Sequence, residues 1–73
     1  MGNKATKLLQ LGRNIFKLRK VKGLSQNQFA EMLDISREHL AKIETAKRSP
    51  SLELLFKIAE KLEMAESELF IFN

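Results

Sequence analysis

Among the residues whose types could do chemistry, the bases dominate, and they are unevenly placed. Residues 1–30 carry Lys4, Lys7, Arg13, Lys17, Arg19, Lys20 and Lys22 and no acid. Residues 31–48 balance Arg37, Lys42, Lys47 and Arg48 against Glu31, Asp34, Glu38 and Glu44. Residues 49–73 set Lys57 and Lys61 against Glu53, Glu60, Glu63, Glu66 and Glu68, so an acidic end closes a chain whose total charge is +4. One basic end and one acidic end suit a polyanionic partner, although such runs also make ordinary solvated helix faces. Other chemistries are poorly served. The chain has no cysteine, which excludes disulfides, iron–sulfur clusters and thiolate zinc sites and fits a reducing cytoplasm. His39 is the single histidine. It stands without the further ligands a metal needs and without the nucleophile a catalytic base needs. We therefore expect no enzyme, no metal, no cofactor and no small-molecule ligand.

These groups must be carried on helices. Leu8, Leu11, Ile15, Leu18 and Val21 recur at three- and four-residue steps, one stripe of an amphipathic helix. Thr6 suits an N-cap and Gly23 a left-handed stop, which predicts a first helix from about Lys7 to about Lys22. Ser25, with Gln28 three residues on, has the capping-box form and opens a second helix with Phe29, Ala30 and Leu33 inward. Ser36 caps a third, with Leu40 and Ile43 inward. Residues 46–50 read as a loop. Ser51, after Pro50, opens a fourth helix whose Leu52, Leu55, Ile58, Ala59 and Leu62 face the core. A short last helix runs from about Glu66 to Phe70. Of the phenylalanines, Phe16, Phe29 and Phe56 are expected in the core. No β-alternation, repeat or low-complexity segment occurs. The expectation is all-α, one domain over residues 7–73 behind a tail of residues 1–6. No apolar run approaches the ~20 residues of a membrane helix, and no secretory segment is present.

The middle of the chain is the most informative. Only Asp34 and Ile35 separate Leu33 from Ser36, and so short a connection forces the two helices to cross steeply, as in a helix-turn-helix unit over about residues 25–45. Three features should then occur together. Ala30 is small where the helices approach. Ile35 supplies an apolar residue to point back from the turn. Arg37, Glu38, Ala41, Lys42 and Thr45 leave the outer face of the second helix polar.

From about Leu11 to Phe70 the chain resembles the phage-repressor/Cro-like (XRE-type) family of helix-turn-helix regulators. The residues that carry the resemblance are Leu18-Arg19, the run from Gly23 to Ala30, Asp34-Ile35-Ser36-Arg37, Ile43-Glu44, Pro50 to Leu55, Leu62-Glu63-Met64 and Glu68-Leu69-Phe70. The resemblance implies a compact five-helix, lambda-repressor-like domain, usually dimeric, that binds double-stranded DNA and regulates transcription. Its recognition helix, about Arg37–Thr45, would lie in the major groove. Arg37, Glu38 and Lys42, with Ser36 and His39 beside them, fall where the family reads bases. Arginine's fork suits guanine, and a carboxylate accepts from cytosine. Gln26 and Asn27 open the second helix where the family holds a phosphate, and Lys47 and Arg48 would touch the flanking backbone. Arg19 and Glu44 match a structural pair joining helix 1 to the end of helix 3. The chain departs from the family at two glycine positions. Asp34 stands in the turn, where Asp tolerates the left-handed conformation. Ala46 follows the recognition helix at a cost of about 1 kcal/mol if left-handed, so we expect the loop to leave helix 3 differently.

Size and resemblance together suggest a stand-alone cytoplasmic regulator, bacterial or phage-encoded, similar to short Cro-like repressors and to restriction–modification controller proteins. Residues 1–6 also match an N-myristoylation pattern, but that setting lacks the modification. An alternative from another class is a protein-interaction module of the same fold, of the antirepressor or antitoxin type; such an interface would favour apolar or aromatic anchors on helix 3 over Arg, Glu and Lys. Finally, Leu69, Phe70, Ile71 and Phe72 form an apolar run too large for so small a core. They are expected to make a homodimer interface matched to a palindromic operator. Phe72 folded over Leu8 and Leu11 is the bland alternative.

Overall fold

The computed structural model describes residues 4–71. Its elements are α1 (Lys4–Val21), α2 (Gln26–Leu33), α3 (Arg37–Glu44), α4 (Leu52–Lys61) and a terminal 3₁₀ helix (Glu66–Phe70), with no strand among the described residues. Three serines start helices by one local device. Ser25, Ser36 and Ser51 are extended, and each hydroxyl accepts from the backbone N–H three residues on, at Gln28, His39 and Leu54. That satisfies a donor the helix cannot satisfy itself. At α2 the box closes, because the Ser25 N–H donates to Gln28 Oε1 at 2.8 Å.

All four α-helices also stop alike. Gly23, Asp34, Ala46 and Glu63 have φ of +74°, +60°, +62° and +60°. The residue after each donates back five positions: Leu24 to Arg19, Ile35 to Ala30, Lys47 to Lys42 and Met64 to Ala59. This pairing satisfies carbonyls that the last turn leaves open. Only one of the four left-handed residues is glycine. The loop after Ala46 thus leaves α3 as it would behind a glycine, contrary to expectation. The Lys47 and Arg48 N–H groups, both on the Lys42 carbonyl at 2.8 and 3.2 Å, hold the turn.

The core joins Leu11 and Ile15 of α1 to Phe29, Leu33, Leu40, Ile43, Ile58, Leu62 and Leu69, each 4% exposed or less. Four expectations are corrected. The first helix already runs at Lys4, so Thr6 lies inside it and Lys4–Thr6 are no tail; Ala5 is a strong helix former and nothing there breaks the pattern. Leu52 is 65% exposed and Leu54 is buried instead, since Leu54, Ile58 and Leu62 share one i, i+4 row. Phe16 and Phe56 are 44% and 50% exposed, outside the core that Phe29 enters. Val21, at 83% exposed, lies past the end of its stripe.

Candidate nucleic-acid interface

Helix α3 has a sealed back and a charged front. Leu40 and Ile43 are buried, while Arg37, Glu38, Lys42 and Thr45 are exposed and Ala41 is half-buried. Arg37, Ala41 and Thr45 make one i, i+4 row; Glu38 and Lys42 make the next. Thr45 Oγ1 donates to the Ala41 carbonyl at 2.8 Å, closing the last turn. Past the left-handed Ala46, Lys47 and Arg48 are exposed. The residue following the left-handed one separates this helix end from the rest. At the other three ends it is Leu24, Ile35 or Met64, packed against the core. Behind α3 it is Lys47, a cation where packing would favour an apolar side chain.

Two further expected base readers, Ser36 and His39, also make contacts within the fold. The Ser36 hydroxyl caps α3 by accepting from the His39 N–H at 3.0 Å. His39 turns from the front: it is half-buried and lines a groove of about 350 Å³ with Ile35, Ser51, Glu53 and Lys57. Position 39 lies nearer the Leu40 side of the helix than the Arg37 row, so the ring backs onto the start of α4.

The front is braced by an ion pair. Arg19 Nε donates to Glu44 Oε2 at 2.7 Å, and Nη2 to Oε1 at 3.1 Å; Nη1 donates to the Leu24 carbonyl at 2.8 Å. These are the only buried charged side chains among the described residues, at 4% and 6% exposed. A buried pair contributes little net stability, but removing one partner leaves an uncompensated charge and costs about 3–5 kcal/mol. Gln26 joins it, Nε2 donating to Glu44 Oε1 at 2.9 Å. Its amide is thus oriented by the end of α3, with one of its two N–H donors on Glu44 and the other left for a further acceptor. Beside it the Gln26 and Asn27 N–H groups open α2, where no intrahelical acceptor exists.

Sequence reasoning missed Gly12. It is buried in α1, and a Cβ there would come within 2.6 Å of the carbonyl oxygens of both Ile43 and Glu44. Helix α1 therefore lies directly on the last turn of α3. The available signal was a glycine inside a helical pattern, which costs about 1 kcal/mol unless close packing requires it.

Among the described residues no group of His, Cys, Asp and Glu could hold a metal ion, and no helix is long and apolar enough to cross a membrane. The HTH_3 helix-turn-helix family model matches residues 15–69. Control protein C.MunI of a Mycoplasma species is 43% identical over 63 residues, 85% of either chain. The restriction-modification controller protein C.AhdI from Aeromonas hydrophila superposes with a TM-score of 0.83 at 33% identity, covering 86% of this chain and 96% of its own. The biofilm master regulator SinR, solved in complex with DNA, gives a TM-score of 0.77 at 29% identity, with 84% and 98% covered.

Proposed function

The chain belongs to the HTH_3 helix-turn-helix family of DNA-binding transcriptional regulators, and from that premise we propose that α3 reads the major groove with Arg37, Glu38 and Lys42. The observation that carries this reading is the front of α3. Its charged side chains are exposed, its back is sealed by Leu40 and Ile43, and its far end is clamped by the Arg19–Glu44 pair. A helix so presented fits the groove with its first turns against base edges. Arg37 donates to guanine and Glu38 accepts from cytosine. The backbone N–H groups of Gln26 and Asn27 take one phosphate, and Lys47 and Arg48 take the flanking backbone.

The protein acts in the cytoplasm as a homodimer on a palindromic operator, because one recognition helix contacts too few base pairs to select a genomic site. Similarity to C.MunI and C.AhdI over most of their lengths supports a controller of restriction–modification genes. Selection of bound duplexes from a random pool tests the reading. A recovered palindrome with half-sites about one DNA turn apart is the expected result. Recovery of unselected sequence would overturn it.

A further inference from the structure

Besides its charges, the front of α3 carries two methyl groups. Ala41 stands between Arg37 and Thr45 in one row, half-buried, with a single methyl as its whole side chain. Thr45 is exposed, yet its hydroxyl hydrogen is used inside the fold: Oγ1 donates to the Ala41 carbonyl at 2.8 Å and lies 3.5 Å from that of Lys42. With the hydroxyl hydrogen committed there, Thr45 brings a methyl and no donor to the outer face. A row that narrows from Arg37 to two short side chains also lets the helix sit deeper in a groove, since neither Ala41 nor Thr45 holds the backbone off. In the major groove the apolar complement is one atom group, the 5-methyl of thymine, which protrudes where cytosine carries only hydrogen.

We propose that Ala41 and Thr45 are specificity-determining residues that select thymine by contact with its 5-methyl group. The inference rests on α3 lying in the major groove, and adds to it readout by methyl contact beside the hydrogen-bonded readout by Arg37 and Glu38.

The test uses the full chain and the duplex recovered by selection, with each thymine replaced in turn by uracil. Uracil keeps every hydrogen-bonding group and loses only the methyl. Burying one methyl is worth about fourfold in affinity, so wild type should weaken about fourfold per half-site at one or two thymines. Ala41→Gly should become indifferent to uracil at one of them. Thr45→Ser removes the methyl while keeping the hydroxyl bond, and should become indifferent at the other; it keeps the test open if glycine loosens α3. Both variants should still discriminate at the base pair read by Arg37. A wild type that binds its operator equally well with every uracil overturns the inference alone. So does uracil sensitivity unchanged in both variants. A wild type that selects no duplex overturns the groove reading and this inference with it.

Discussion

Arg37 and Arg48 carry the same guanidinium, but position gives them different work. Arg37 stands in the first turn of α3 over the proposed base edges, whereas Arg48 is exposed in the loop beyond, proposed to meet the DNA backbone. Arg37→Ala should cost about 1–3 kcal/mol on the selected site and relax the preference at one base pair per half-site. Arg48→Ala should weaken all sequences alike and lower the salt slope by about one unit. Binding curves on matched and mismatched duplexes at several salt concentrations separate the two, and unchanged base preference in Arg37→Ala would refute the assignment. Backbone strain is the other matter of single residues. Ala46, at φ +62°, bears a left-handed conformation that glycine adopts freely. Ala46→Gly should therefore raise stability by up to about 1 kcal/mol, read as a higher melting temperature. Asp34→Gly should be near neutral, because relief of strain is offset by added freedom of the unfolded chain. Asp34 was legible in the sequence because Asp is a known left-handed residue. Glu63 was not, since nothing in a glutamate signals φ +60°.

Helix starts were easier to read than helix faces. Ser25, Ser36 and Ser51 act on donors three residues away, so their role is written locally in the chain. Which apolar residue turns inward depends on the partners packed around the helix, and so Leu52, Phe16 and Phe56 were misassigned. Gly12 was missed for the same reason, its role depending on carbonyls some thirty residues away in sequence. Gly12→Ala should cost about 2–3 kcal/mol by overpacking backbone against backbone. Because the displaced element is the end of α3, operator affinity should fall by more than unfolding alone accounts for. A melt and a binding curve on the same variant check both. A weaker link joins the ends of α1 and α4, where Lys22 Nζ meets Glu63 Oε1 at 2.8 Å. The hydrogen bond and charge of Lys22 hold the Glu63 carboxyl below its usual range. A lowered folded value means that the contribution is present above the ordinary carboxylate range and lost as pH falls through the lowered one. Because the pair lies at the surface, it is screened and its contribution is small. The melting difference between wild type and Glu63→Gln should shrink on acidification and in high salt.

For the molecule as a whole, the outstanding question is what covers the apolar side chains its core leaves out. The C-terminal run was expected to exceed the core's capacity, and the structure divides it. Leu69 is fully buried, so it anchors the terminal helix and is no dimer contact. Phe70 and Ile71 are 47% and 57% exposed, and Phe72 lies outside the described residues. Asn14 Nδ2 donates to the carbonyls of Leu69 and Ile71, both at 2.9 Å, fastening this segment to α1 and giving the exposed side chains a fixed place. On α4, Leu52 and Phe56 at i, i+4 add a second exposed apolar row, which the sequence reading had assigned to the core. A small protein rarely leaves such side chains bare, and a second copy is the commonest cover. The proposed homodimer therefore uses Phe70 and Ile71, the Leu52–Phe56 row, or both. Glu66 and Glu68 on the terminal helix would then lie away from the DNA, with the recognition helices ~34 Å apart. Ile71→Ser and the double variant Leu52→Ser, Phe56→Ser separate the two surfaces. Each truncation is made twice across a two-fold axis, so the surface that pairs should lose on the order of a hundredfold in dimer affinity. Sedimentation reads that loss directly, and binding to the palindrome should fall with it while an isolated half-site is bound as weakly as by wild type. A wild type that stays monomeric at high micromolar concentration, with neither variant altering its binding to the palindrome, would remove both surfaces from consideration.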